Sequence, residues 1–197
     1  APLAAALTGL PAPAGLTGAF HEDGLADLAD GLGGAVDRDR ALEIMKDSRI
    51  GSYGTLALIV AVGLKVALLA TLAAQDDLAA LMGLLGAHVL SRYAPLAVMR
   101  ALPYVGGDAG KAKPVAESVS NESLTAALVW SLPALALLIC TQPVENVLIA
   151  IVLAAAVVGW MIRMLRRRLA GFTGDALGAT QQLCEVALYL GLAVQLS

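Results

Sequence analysis

The sequence predicts an all-α, polytopic integral membrane protein, on three observations. Hydrophobic residues fill 58% of the 197 positions and charged residues only 15%, where a soluble domain carries roughly 25% charged residues. Mean hydropathy is +0.77. The apolar residues gather into runs long enough to cross a bilayer, and the Lys and Arg residues sit in alternate connections between those runs. The net charge of −3 arises from local clusters, so nucleic-acid binding is not expected. Cys140 and Cys184 stand singly in apolar runs and read as small packing residues.

Residues 1–20 are apolar but broken by Pro2, Pro11, Pro13, Gly9, Gly15 and Gly18, which makes a poor continuous spanning helix. No basic residue precedes Arg38, which argues against a secretory signal peptide. Residues 55–74 are almost wholly apolar, enough to cross a hydrocarbon layer of roughly 30 Å at about 1.5 Å per residue. Residues 79–99, 124–140, 147–162 and 176–196 are the next candidates, so about five spans are expected. One membrane-embedded domain over residues 1–197 accommodates them.

Positive residues accumulate on the cytoplasmic side of a membrane. Here they occupy one set of connections: Arg38, Arg40, Lys46 and Arg49; then Arg100, Lys111 and Lys113; then Arg163, Arg166, Arg167 and Arg168. The connections at Asp76-Asp77 and 141–146 have none. The expected location is a bacterial inner membrane, with the basic connections in the cytoplasm. The Arg163–Arg168 group reads as a topology and lipid-headgroup anchor.

Eight of the sixteen acidic residues (Glu22, Asp23, Asp27, Asp30, Asp37, Asp39, Glu43 and Asp47) fall within twenty-six consecutive positions. On a helix, Asp23, Asp27 and Asp30 share one face at i, i+4 and i+7. Three carboxylates on one stripe repel one another unless a cation sits among them, and hard oxygen ligands suit Mg²⁺. A solvated acidic helix is the plainer alternative. Near the carboxy terminus, helical counting places Asp175, Gly178, Gln182, Glu185 and Tyr189 within an arc of about 80°. A polar stripe entering a span must face protein or a wet cavity.

The run His21-Glu22-Asp23-Gly24-Leu25-Ala26-Asp27 through Asp30-Gly31, then Arg40 and Leu42 to Gly51, resembles the signature of the adenosylcobinamide-GDP ribazoletransferases, or cobalamin 5′-phosphate synthases. Gly171-Phe172-Thr173-Gly174-Asp175 through Ala179, with Glu185, is similar to that family's carboxy-terminal motif, and Ser91-Arg92 fits between them. The resemblance implies a further amino-terminal segment ahead of His21, here missing or abbreviated. It also implies that adenosylcobinamide-GDP reacts with α-ribazole or its 5′-phosphate to give adenosylcobalamin or its 5′-phosphate and GMP. A ribose hydroxyl attacks the phosphorus bearing the cobinamide.

For that chemistry the expected metal ligands are Asp23, Asp27 and Asp30, holding Mg²⁺ as cofactor. Asp47 and Asp175 are candidates for a further ligand or the general base, and spacing does not decide between them. Lys46 and Arg49 are placed to neutralise developing charge, although with Arg40, Glu43 and Asp47 they also read as a salt-bridged interfacial helix. His21, Arg40, Arg92, Gly174, Gly178 and Glu185 are the candidate substrate contacts. Arg92 stays open between a bidentate phosphate clamp and a structural ion pair. Lys65, mid-span, calls for a carboxylate partner from the acidic motif or from Glu185. His21 and His88 are lone histidines, on which no metal site is expected. Membrane lipids are expected partners, and self-association into a homo-oligomer is left open. Two other classes compete. A CDP-alcohol-type phosphotransferase needs an Ala-Arg after Asp23-Gly24, which is absent. A cation transporter needs charges near the midplane on several helices.

Overall fold

The computed structural model describes residues 18–107 and 119–195. Eight helices follow in order among them: α1 (Phe20–Gly34), α2 (Arg38–Ile44), α3 (Ser52–Gln75), α4 (Asp77–Ser91), α5 (Tyr93–Ala101), α6 (Asn121–Thr141), α7 (Val144–Arg168) and α8 (Gly174–Leu192). No strand forms among the described residues beyond an isolated bridge between Tyr104 and Phe172. The expectations for residues 1–17, and for Lys111 and Lys113, lie outside the described residues.

Short polar residues at the helix starts explain where the helices begin. The Asp37, Asp76, Ser120 and Thr173 side chains accept the amides of Arg40, Ala79, Ser123 and Ala176, each satisfying a donor that the first turn leaves free. Pro95 has no N–H to donate to the Ser91 carbonyl, and the second span is divided into α4 and α5 at Arg92.

Four segments are long and apolar enough to cross a membrane: α3, the α4–α5 pair, α6 and α7. The fifth expected span begins as anticipated, but its helix ends at Leu192 rather than 196 and does not meet that criterion, because Gln181, Gln182 and Glu185 interrupt it. Those side chains are buried, since α8 runs through the middle of the bundle against α1, α3, α4, α5 and α7. The lipid-facing surface is built from α3, α6 and α7, where Ile59, Val129, Trp130 and Val152 are exposed. Such a surface needs a membrane around it.

The polypeptide shuttles between two ends. Helices α3, α6 and α8 lead away from the end holding α1 and α2, and α4–α5 and α7 return to it. At the far end, the Gln142 amide donates to the Ala79 carbonyl (2.8 Å) and the Asn146 amide to Leu192 (2.9 Å). At the acidic end, Arg168 donates to the Leu32 and Ala35 carbonyls (3.0 and 2.8 Å), and Arg38 to Leu169 (2.7 Å). There the Val105 amide also donates to the Phe172 carbonyl and the Phe172 amide to the Pro103 carbonyl (2.9 Å each), fixing the turn that launches α8. Small residues set the close crossings, as is usual where lipid removes the hydrophobic drive between helices. Gly86 admits Leu138, and Gly191 lies so near the Ala150 backbone that a Cβ has no room.

Candidate active site

Helices α1 and α8 run antiparallel, with His21 against Gly178 and Gly24 against Asp175. A Cβ on Gly24 would lie 2.8 Å from the Asp175 carbonyl oxygen, and one on Gly178 would lie 3.2 Å from the His21 Cα. These two glycines bring the acidic motif and the carboxy-terminal motif together. Gly178 is therefore occupied by a helix crossing, and Gly174 is the first residue of α8.

Asp23 is exposed on α1, while Asp27 and Asp175 are half-buried. Burial, reinforced by the charges of Asp23, Asp175 and Asp30, pushes the Asp27 carboxyl up to about 6. Among the described residues no Lys, Arg or His pairs with Asp23, Asp27 or Asp175. The three carboxylates thus lie within one another's field with no cationic partner, although Asp175 also takes hydrogen bonds from its own turn and from Thr173. No three His, Cys, Asp or Glu side chains among the described residues converge tightly enough to ligate one ion unaided. Asp23, Asp27 and Asp175 are hard oxygen donors of the kind Mg²⁺ takes one or two at a time, its shell completed by waters and substrate phosphates.

Asp30, expected on the same stripe, is engaged elsewhere. Its two oxygens accept the amides of Gly51 (2.6 Å) and Gly54 (2.8 Å), capping α3. A Cβ on Gly54 would collide with that carboxylate. Helical counting placed Asp30 correctly on α1 but could not show that α3 begins against it.

The basic residues of the second half of the motif lie at the surface. Helix α2 ends at Ile44, so Lys46, Asp47 and Arg49 follow it in a loop. Arg40 pairs with Glu43 (2.6 Å) and Arg49 with Asp47 (2.6 Å). Hydrogen bonds from Arg49 hold the Asp47 carboxyl down at about 2, which makes it a poor proton acceptor at neutral pH. Lys46 is exposed near Gly107. Arg92 donates to the His88 carbonyl. Burial, then the positive charge of Arg92, holds His21 below its ordinary value, so its imidazole is neutral.

Glu185 is 2% exposed and is the centre of a polar network. It meets the Lys65 ammonium and His88 Nδ1 at 3.1 Å each, and accepts from Gln181 (2.9 Å) and Tyr189 (3.0 Å). Lys65 also donates to Gln182 (2.6 Å), and Gln182 to Glu22 (3.1 Å), tying the network to α1. The carboxylate partner expected for Lys65 is Glu185. As a substrate contact Glu185 is enclosed, with both oxygens committed to protein donors. Sequence reading missed Gln181, which also donates to Ser91 (2.9 Å), because it lies about 100° round the helix from Gln182. Another missed residue is Glu22, whose Oε2 is buried without a partner among the described residues.

Fold and site together define a polytopic α-helical membrane protein with a group of acidic side chains at one end of its bundle. Residues 1–193 match the family model described as cobalamin-5-phosphate synthase. The chain is 50% identical to the adenosylcobinamide-GDP ribazoletransferase of Albidiferax ferrireducens, over 99% of its own length and 75% of the relative's. It is 48% identical to the protein of that name from a Polaromonas species (99% and 74%) and 48% identical to one from Vibrio cholerae (89% and 65%). No solved structure matches. The chain belongs to the cobalamin-5-phosphate synthase family and is a membrane-embedded transferase of cobalamin biosynthesis.

Proposed function

We propose that this enzyme joins adenosylcobinamide-GDP to α-ribazole or its 5′-phosphate, releasing GMP, in a Mg²⁺-dependent reaction at the cytoplasmic face of the inner membrane. The observation that carries the reading is the unpaired group Asp23, Asp27 and Asp175, drawn from two motifs about 150 residues apart. Bound there, Mg²⁺ supplies charge neutralisation for the two phosphates and the departing GMP.

The remaining work falls to side chains. The ribose hydroxyl oxygen forms a bond to the phosphorus bearing the cobinamide, the pyrophosphate P–O bond breaks, and GMP leaves with the electron pair. The hydroxyl proton passes to a carboxylate of the acidic group. Asp175 fits that role, with its backbone set against Gly24, whereas Asp47 is held by Arg49. Neutral His21 and cationic Arg92, near enough for the charge of Arg92 to depress the imidazole, offer donors to phosphate oxygens. Lys46, exposed beyond α2, adds positive charge at that end of the bundle, whereas Arg40 and Arg49 are paired with Glu43 and Asp47. Glu185 and Lys65 act by holding α8 in register with α3, and the Gln182–Glu22 bond extends that tie to α1.

The test is to incubate purified enzyme in liposomes with adenosylcobinamide-GDP, α-ribazole 5′-phosphate and Mg²⁺, and to follow GMP. Stoichiometric GMP and cobalamin 5′-phosphate, lost on chelation and in Asp27→Asn, support the reading. GMP formation that needs no ribazole, or that survives chelation, overturns it.

A further inference from the structure

Away from the acidic site, the α4–α5 span, α6, α7 and α8 enclose a cavity of about 460 Å³. Its walls are apolar, Tyr93 and Ala97 facing Leu128, Ala155 and Val158. The serine hydroxyls there are already engaged: Ser131 donates to the Ala127 carbonyl (2.8 Å), and Ser91 carries the Gln181 amide (2.9 Å). Beyond the Tyr93 hydroxyl, the lining offers little that could recognise a polar solute. The cavity lies among the spanning helices, at a depth where acyl chains are the solvent.

Two of these helices, α5 and α7, carry a second, independent feature. On α5, Tyr93, Ala97 and Arg100 fall within an arc of about 60°, and on α7 Ala155, Val158 and Arg166 fall within about 80°. Arg100 stands about 4.5 Å along its helix beyond Ala97, and Arg166 about 12 Å beyond Val158. Both lie toward the acidic end, both are exposed, and neither makes an ion pair among the described residues. An apolar slot whose α5 and α7 walls carry exposed, unpaired guanidinium groups on the same helix faces, further toward the acidic end, complements an amphiphile with an acyl chain and a negatively charged head.

We propose that this cavity is a binding site for an anionic phospholipid, one acyl chain lying between α5 and α7 and the phosphate held by Arg100 and Arg166. Guanidinium groups take phosphate oxygens in paired hydrogen bonds. A zwitterionic lipid brings its own cation to the same arginines and competes poorly. A second copy of the chain would bring a second set of the same arginines.

The experiment is native mass spectrometry of the intact, detergent-purified protein, delipidated and titrated with phosphatidylglycerol or phosphatidylcholine. The expected result is preferential retention of phosphatidylglycerol by the unaltered chain. Ala155→Phe, which fills the slot, should lower retention of both lipids by about tenfold, and Arg100→Gln/Arg166→Gln should erase the preference while leaving acyl-chain binding. The double arginine variant alters only exposed side chains, so its thermal unfolding should match the parent. Equal retention of the two lipids by the parent overturns the proposal. So does undiminished phosphatidylglycerol binding in both variants, or a lipid-free mass of two chains.

Discussion

Gly24 and Asp175 meet backbone to backbone, so closely that a methyl group on Gly24 would lie 2.8 Å from the Asp175 carbonyl oxygen and 2.9 Å from its Cα. The obstacle is main chain, which cannot rotate aside. Gly24→Ala is therefore expected to push α1 off α8 and to lower kcat for GMP release by at least about tenfold, equivalent to roughly 1.4 kcal/mol. Gly178→Ala, with 3.2 Å to the His21 Cα and carbonyl oxygen, should cost less. Comparing kcat and unfolding temperature across the pair checks the ranking, and a Gly178→Ala enzyme worse than Gly24→Ala contradicts the crossing.

Asp27 provides a pH signature. Its carboxyl titrates near 3.8 when unfolded and about 6 when folded, so between those values the native protein binds the extra proton. Stability of the metal-free enzyme should fall as pH rises through 6, because the charged carboxylate is the disfavoured form in the folded state. Mg²⁺ should reverse that slope by favouring the same charged form. Unfolding temperatures from pH 4.5 to 8, with and without Mg²⁺, measure this, and Asp27→Asn should flatten both dependences. Identical slopes in the variant and the parent would remove Asp27 from the site.

Asp30 should separate from its neighbours on the stripe. Asp30→Ala leaves the buried Gly54 amide without its acceptor, a loss of about 1–3 kcal/mol. It is expected to lower the unfolding temperature with or without metal. Asp23→Asn, at an exposed position, should spare stability and weaken Mg²⁺ dependence. Calorimetry of both variants in chelator shows whether the division holds.

The Lys65–Glu185 pair, 5% and 2% exposed at the side chains, should behave as a coupled unit. Lys65→Met strands a buried carboxylate and should destabilise the protein by roughly 3 kcal/mol or more. Adding Glu185→Gln should recover part of that loss, which a double-mutant cycle on unfolding measures. Additive losses would mean that the two side chains act independently.

Topology is testable through the ends of the bundle. In a background lacking Cys140 and Cys184, Asp77→Cys should react with an impermeant thiol reagent added to intact cells, and Arg167→Cys only after lysis. The reverse pattern would place the acidic site outside the cell.

What one-dimensional spacing determines here is what hydropathy and helical period encode. Four of the five expected spans coincide with helices long and apolar enough to cross a membrane, because an unbroken apolar run has no other stable arrangement in a bilayer. The acidic stripe, the polar arc of α8 and the two family motifs were legible for the same reason: each is local. Tertiary structure alone decided which of those residues meet. Asp27 and Asp30 share a face of α1, yet one stands in an unpaired acidic group and the other caps α3. Glu185, on the arc with Asp175, is enclosed by Lys65, His88, Gln181 and Tyr189. Helix α8 has a span's length but lies at the centre of the bundle, where its glutamines find partners. These outcomes depend on where helices cross and which glycines allow them to close, and crossing register is a relation between distant segments that no periodicity within one segment records.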